Sequence, residues 1–188
     1  MDAAARGERM EALGGETDVA RRRLLALGLL TDRLAEDGIE PILVGGAAME
    51  LYTAGGYATG DVDLALPTSP LVDAAFAELG FRKQGRFWVR EDLDLFFEAP
   101  APAGLPGEDA PRTIVEIDGL RVVVIGREDL LLDRVRAAVH WRSEEDRRWA
   151  RRLALLYPDR LDWGYLVDRA REPGERELVA ELRREAGR

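Results

Sequence analysis

The stretch from Leu43 to Leu66, LVGGAAMELYTAGGYATGDVDLAL, decides the fold class of this chain. It opens with the end of a short apolar strand that stops abruptly at Gly45 and Gly46. A short helix is predicted next, and after a glycine-rich turn a second strand begins with the triplet Asp-Val-Asp. A strand, a glycine pair, a helix and an acidic strand in this order predict a mixed α/β domain.

Two carboxylates stand on the second strand of this stretch, at Asp61 and Asp63. Because side chains alternate across a strand, both point to one face, about 6–7 Å apart along the chain. Neighbouring carboxylates repel each other and are costly to bury, and a divalent cation between them removes that cost. Hard oxygen ligands suit Mg²⁺ or Mn²⁺, which usually also bind substrate phosphates. The strand therefore predicts a metal site, with a solvent-facing edge strand as the simpler alternative.

The glycine pair, Gly45 and Gly46, lies directly after one strand and directly before a helix. Glycines let the backbone approach a ligand closely, and the helix that follows offers free amides and a positive dipole end to a phosphate. A tight turn without a ligand is the alternative for the glycines alone. Together with the acidic strand they predict a phosphate cradle beside a metal.

A third carboxylate is expected, because two-metal phosphoryl transfer needs ligands that also orient the incoming hydroxyl. The strand predicted over 92–98 offers Asp94 and Glu98, which alternation places on the same face. Alternation alone does not choose between them.

Outward from this stretch, the sequence divides into three parts. Residues 1–16 are predicted to form a flexible tail, 17–126 the α/β core, and 127–188 a helical C-terminal region packed on that core as a cap. Within the core, Asp118-Gly119 between two apolar runs is a strong hairpin signal. The proline-rich segment 99–111 is predicted to be a surface loop.

The composition excludes several classes of protein. The 188 residues include 46% hydrophobic and 34% charged residues and no cysteine, which rules out a disulfide framework, a thiolate metal site and a cysteine nucleophile. A net charge of −9 argues against tight binding of duplex DNA, which depends on positive charge. The N-terminus has no signal-peptide core, and the longest apolar run there is too short to cross a bilayer. A cytoplasmic protein without a membrane partner is expected.

With these motifs the chain resembles the nucleotidyltransferase fold of the DNA polymerase beta superfamily. More narrowly, it resembles a bacterial group of minimal nucleotidyltransferase-like proteins related to abortive-infection toxins. The resemblance spans about residues 42–169. Its motifs are a Thr-x-Asp-x-Asp strand, an Arg-x-Trp…Glu-x-Pro segment and a Glu-Asp-Leu…Asp-Arg…His-Trp helix, which correspond to Thr59/Asp61/Asp63, Arg86/Trp88…Glu98/Pro100 and Glu128/Asp129/Leu130…Asp133/Arg134…His140/Trp141.

This resemblance implies that Glu98, rather than Asp94, completes the trio. It implies a Mg²⁺- or Mn²⁺-dependent transfer of a nucleotidyl group from an NTP to an acceptor hydroxyl of an RNA end, a protein or a small molecule. A cognate antitoxin is the partner that the toxin-like group implies. Many relatives have arginine where this chain has Tyr57. The residues expected to bind the nucleotide are Gly45, Gly46, Thr59 and Arg134.

Alternatives stay open for several features. A non-catalytic nucleotide sensor or protein-interaction module of the same fold is the rival function, and a glycosyltransferase is disfavoured by the length of the chain.

Several residues also have more than one interpretation. Arg134 could reach a phosphate or pair with a core carboxylate, and the lone His140 is expected to be a solvated or salt-bridged surface residue. The apolar stripe of the 143–157 helix predicts packing between the C-terminal helices: Trp149, Leu153 and Leu156. The neighbouring arginines predict a solvated helix face or, less simply, a surface for a polyanionic acceptor: Arg147, Arg148, Arg151 and Arg152.

Overall fold

Seven strands form one mixed sheet in the computed structural model of the protein, which describes residues 1–67, 69–99, 107 and 109–187. The strands are β1 (Ile42–Leu43), β2 (Val62–Ala65), β3 (Arg82–Gln84), β4 (Phe87–Arg90), β5 (Leu95–Glu98), β6 (Arg112–Ile117) and β7 (Leu120–Ile125). Their order across the sheet is β3-β4-β5-β2-β1-β7-β6. The pairs β1–β7 and β2–β5 are parallel and the others antiparallel, so the acidic strand β2 lies in the middle of the sheet.

Helices flank this sheet and follow it in the chain. They are α1 (Ala3–Ala12), α2 (Val19–Leu34), α3 (Gly45–Tyr52), α4 (Pro70–Glu78), α5 (Arg127–His140), α6 (Glu144–Leu156), α7 (Trp163–Arg169) and α8 (Pro173–Glu185). The four helices after β7 lie within the region 127–188 that the sequence predicts to be helical, and Ser143 caps α6 by accepting from the N–H of Asp146. The predicted fold class, a mixed sheet followed by C-terminal helices, is confirmed.

The predicted hairpin between β6 and β7 is also present. Asp118 and Gly119 both have positive φ, 49° and 73°, as a two-residue hairpin turn with the twist of the flanking strands requires. The register runs from Ile117 opposite Leu120 to Arg112 opposite Ile125. Much of the neighbouring segment 99–111, predicted to be a loop, lies outside the described residues.

Helix α2 packs closely against β7. A Cβ at Gly28 would stand 2.7 Å from the Cβ of Leu120, so glycine in mid-helix is explained by the close approach of the sheet. Leu25 and Leu29, which lie off the main apolar stripe, are also buried. The helix is therefore covered on more than one side.

The expectation of a flexible tail over residues 1–16 is wrong. The segment forms α1, which begins at the N-cap Asp2 and buries Met10 completely. Arg6 is also buried, and its Nε donates to Asp32 of α2 at 2.9 Å. Few apolar residues hold this helix, so sequence periodicity does not reveal it, and its contacts with α2 stabilise it instead.

The C-terminal helices contact the core through tyrosine hydroxyls. Tyr52, the last residue of α3, donates to the carbonyl of Ile125 at 2.6 Å, and Tyr157 donates to the carbonyl of Tyr52 at 2.7 Å. Helix α5 begins directly after β7, at Arg127, and packs on both α3 and α6. These contacts bring α5 and α6 beside α3, the helix that precedes the acidic strand and packs on it. No helix in the described part of the chain is long and apolar enough to span a bilayer.

Candidate metal and nucleotide site

Three carboxylates converge beside the start of α3. One oxygen from each of Asp61, Asp63 and Glu98 lies within 4.8 Å of the other two, and Glu98 is buried while the two aspartates are half-buried. Hereafter these residues are the acidic triad. Asp63 and Glu98 are paired residues of the parallel strands β2 and β5, so the sheet register itself sets the two side chains next to each other. The sequence-predicted trio is thus brought together in space.

Asp94 lies outside this group. Strand β5 begins only at Leu95, and Asp94 follows a 3₁₀ turn with φ 53° and ψ 46°, in the left-handed region. The expectation that Asp94 and Glu98 share one strand face is therefore wrong, because the turn ends the alternation before Asp94 is reached. Its side chain is exposed.

Gly45 is required by the close packing of the aspartate. It has φ +59°, and a Cβ at this position would collide with the carboxylate of Asp63. Helix α3 begins at Gly45 rather than at Ala47, so both glycines belong to its first turn. The N–H of Gly46 points at Asp63 Oδ2 over 3.4 Å, and the N–H of Val44 donates to the backbone carbonyl of Asp63 at 2.9 Å.

The charge of the acidic triad is poorly balanced. Burial raises the pKa of Asp63, and repulsion from Asp61 and Glu98 raises it further, while the Gly46 N–H and the charge of Arg134 offset only part of this. Thr59 donates its hydroxyl to Asp61 Oδ1 at 2.8 Å and so fixes the orientation of that carboxylate. The arrangement favours the arrival of a cation.

Arg134 reaches toward this site from α5. Its ion-pair partners within the described chain are Asp133 and Asp146, the latter at 2.8 Å in the first turn of α6. It still lowers the pKa of Asp63, so it lies close enough to act on the acidic triad electrostatically. The carboxylates that pair with Arg134 belong to the C-terminal helices rather than to the core or the acidic triad, and its contact with a phosphate stays a prediction.

Aromatic side chains cover the start of α3. The ring of Tyr57 meets that of Trp149 edge-on, with centroids 4.9 Å apart. A Cβ at Gly46 would come within 3.1 Å of the Tyr57 ring and 3.0 Å of Thr59, so only glycine leaves this approach open. The aromatic pair therefore joins α6 to the loop that leads into the acidic strand.

Sequence reasoning missed this role of Trp149. The sequence predicts that the stripe on α6 packs between C-terminal helices. Leu153 is fully buried, but Trp149 packs on Tyr57 and Leu156 is 40% exposed. Helical periodicity identifies an apolar face but not the element it meets. Two of the α6 arginines, Arg147 and Arg151, form ion pairs with Glu181 and Glu185 of α8 and hold the two helices together, as in a solvated helix face.

A second missed residue is Arg86, in the turn between β3 and β4. Its Nε lies 3.3 Å from Glu98 Oε2. The sequence contains Arg86 in the Arg-x-Trp motif of the family resemblance, and that motif was the available signal for it.

Another group of potential ligands occurs far along the chain, at His140, Glu172 and Glu175. We call it the His140 cluster. The Nε2 of His140 lies 3.1 Å from Glu175, and Arg136 lies 3.8 Å from the same carboxylate. His140 is thus a salt-bridged residue, as expected from its polar helix face.

Comparison with solved structures identifies the fold. An antigenic nucleotidyltransferase-like protein from Paracoccidioides brasiliensis superposes with a TM-score of 0.63 over 91% of this chain and 90% of its own, at 16% sequence identity. The chain therefore has a nucleotidyltransferase-like fold. The solution structure of the antibiotic-resistance factor ANT(2'')-Ia aligns over 83% of this chain and 86% of its own, at 18% identity and a TM-score of 0.45. No protein-family model and no curated protein matches the sequence.

Proposed function

We propose that the protein is a nucleotidyltransferase that uses Mg²⁺ or Mn²⁺ to transfer a nucleotidyl group from an NTP to an acceptor hydroxyl. The observation that carries this proposal is the acidic triad: three converging carboxylates, two of them on paired central strands, in a nucleotidyltransferase-like fold. A module that only holds a protein partner has no need for unbalanced negative charge at this place.

The residues present fit a divalent cation. Asp61, Asp63 and Glu98 supply the hard oxygen ligands that Mg²⁺ and Mn²⁺ prefer, and the raised pKa of Asp63 marks a carboxylate that lacks sufficient positive charge nearby. A metal ion bound there supplies charge that stabilises the phosphoryl oxygens.

The chain's own groups then have distinct tasks. The first turn of α3, at Gly45 and Gly46, has no side chains and so lets the polyphosphate approach the backbone closely, and Thr59 keeps Asp61 oriented. Arg134 adds positive charge from the side of α5. The acceptor oxygen forms a bond to the α-phosphorus as the bond to the leaving pyrophosphate breaks, and Glu98 accepts the acceptor's proton. Catalysis consists mainly of positioning and charge complementarity.

The acceptor is proposed as a class only: the hydroxyl of an RNA end, a protein side chain or a small molecule. The resemblance to the toxin-like group favours a macromolecular acceptor and a cognate antitoxin as partner. Arg148 and Arg152 on α6 are exposed and close along the helix to Trp149, which supports a polyanionic acceptor on this side.

The test is to incubate the purified protein with each α-labelled NTP, Mg²⁺, total RNA and cell extract, and to identify which molecule becomes labelled. Asp63→Asn is the matched control, since it keeps the size of the side chain and removes its charge. We expect label transfer by the wild type alone, and stabilisation of the wild type in a thermal-shift assay that requires NTP and Mg²⁺ together. Stabilisation by NTP without Mg²⁺ and without transfer would indicate the nucleotide-sensing alternative.

A further inference from the structure

Arg86 forms an ion pair with a carboxylate of the acidic triad although it comes from outside the strands that hold the triad. Its Nε lies 3.3 Å from Glu98 Oε2, and its side chain is 70% exposed whereas that of Glu98 is 10% exposed. Gly85, with φ +60°, makes the turn that brings Arg86 to this point, and Phe87 is the antiparallel partner of Glu98 across β4 and β5. The guanidinium thus reaches the buried carboxylate from solvent.

A metal ion on the acidic triad and this guanidinium compete for the same carboxylate, that of Glu98. Glu98 Oε2 is the atom nearest Arg86, and the ligand oxygens of the three carboxylates lie within 4.8 Å of one another, which leaves little room for two cations. Two positive charges this close repel each other strongly. Among the described residues, the ion-pair and ring contacts of Arg86 are this exposed pair and the Phe87 ring, whose centroid lies 4.8 Å away, so the side chain can leave Glu98.

We propose that Arg86 is an exchangeable counter-ion. It neutralises Glu98 when the acidic triad holds no metal, and it turns to the polyphosphate of the nucleotide when metal and NTP are bound. Arginine suits this exchange, because its planar guanidinium pairs with carboxylate and phosphate alike in two-pronged hydrogen bonds. The inference rests on the proposed function, which supplies the metal and the NTP.

The same hairpin offers a matched control. Arg82 lies on β3, its side chain is 69% exposed, and it pairs with Glu91 at 3.2 Å. Arg82→Gln therefore removes the same charge, at the same exposure and in the same hairpin, without touching the acidic triad. Any general effect of net charge appears in both variants.

The test measures Mn²⁺ binding by electron paramagnetic resonance and nucleotide binding by calorimetry, without turnover. In the absence of nucleotide, Arg86→Gln is expected to bind Mn²⁺ about two- to fivefold more tightly than the wild type, the range of an exposed ion pair. For a non-hydrolysable NTP in the presence of Mn²⁺, the same variant is expected to bind about tenfold or more weakly, as for loss of a hydrogen bond to a charged group. Arg82→Gln is expected to change neither affinity.

The opposite signs make the inference falsifiable. Equal Mn²⁺ affinities for Arg86→Gln and Arg82→Gln overturn the exchange while leaving the proposed function standing. If Arg86→Gln binds Mn²⁺ more tightly but its nucleotide affinity is unchanged, the proposed contact between Arg86 and the polyphosphate is overturned. If neither the wild type nor Arg86→Gln binds Mn²⁺, the proposed function fails and takes this inference with it.

Discussion

Two regions of the molecule bring three potential metal ligands together, and they differ in how their charge is balanced. Within the described residues, the acidic triad and the His140 cluster both place one ligand atom from each member within 4.8 Å of the others. Proximity alone therefore does not distinguish a metal site from a structural ion-pair network.

In the His140 cluster, the buried carboxylate is satisfied. Burial acts to raise the pKa of Glu175, but the N–H of Arg171, the His140 ring and Arg136 outweigh it and hold the pKa below its usual range. The Arg171 N–H donates to Glu175 at 2.8 Å. These contacts tie the last turn of α5 to the first turn of α8, so the cluster is a structural link.

In the acidic triad the balance is reversed. Burial and the two neighbouring carboxylates raise the pKa of Asp63, against one backbone N–H and the charge of Arg134. A half-buried carboxylate beside like charges costs stability, and proteins retain such groups where function requires them. The comparison teaches that unbalanced charge, rather than a count of ligands, marks the candidate site.

The largest effect is expected from Glu98→Gln, which should lower nucleotidyl transfer by about 10²–10⁴-fold, because it removes a ligand and the proton acceptor while keeping the shape. Asp94→Asn is the matched control, since Asp94 is exposed and lies before the strand begins. It should leave the rate nearly unchanged, as measured with the labelled acceptor. Equal rates for both variants would remove Glu98 from the site.

A second prediction concerns glycines, one from each region. Gly45→Ala should reduce transfer by about 100-fold, because the new Cβ displaces the Asp63 carboxylate and small misplacements at a reacting centre are costly. Gly174→Ala, at the start of α8 beside the His140 cluster, meets only the Val139 side chain at 3.0 Å. It should change neither the rate nor the melting temperature much. An active Gly45→Ala variant would contradict the close packing of Gly45 and Asp63.

The third prediction is that substitutions in the two regions change the stability of the fold in opposite directions. Glu175→Gln should lower the free energy of unfolding by about 1–3 kcal/mol, since it removes the buried negative charge that the Arg171 N–H, His140 and Arg136 contact. Asp63→Asn should raise the melting temperature of the metal-free protein, because it removes a half-buried charge that its neighbours repel. Urea and thermal unfolding of both variants check this. A loss of stability in both would mean that the two regions are built alike.

The sequence predicted the parts of this comparison that depend on local patterns. Alternation along β2 placed Asp61 and Asp63 together, and the helical periodicity beyond Gly126 located α5 to α8. The prediction is wrong at Asp94, whose backbone lies in the left-handed region and so breaks the alternation of side chains along the strand. Charge balance was out of reach, because the partners of Glu98 and Glu175 come from other elements of the chain, and no local pattern encodes such pairs.

Tertiary contacts also explain why the prediction of a flexible tail over residues 1–16 is wrong. Residues 1–16 carry too few apolar side chains for a periodicity signal, yet Met10 is fully buried and Arg6 is paired with Asp32 of α2. The helix depends on a surface that only the folded α2 provides.

The smallest expected effect is the pH dependence of stability, and its sign separates the two regions. The folded-state pKa of Asp63 is raised, so its ionisation costs stability, fully above the folded pKa and not at all below the ordinary aspartate range. The gain in stability from Asp63→Asn should therefore be present at pH 7 and shrink as the pH falls through that window.

The folded-state pKa of Glu175 is lowered, so its contribution to stability is present above the ordinary glutamate range and is lost as the pH falls through the folded pKa. The loss of stability caused by Glu175→Gln should thus also shrink on acidification. Because one variant melts above the wild type and the other below it, the melting temperatures of the two variants converge. Melting curves of both variants and the wild type, taken in metal-free buffer from pH 7 down to acid, measure this convergence. A gap between the variants that widens as the pH falls would contradict the charge balance assigned to both regions.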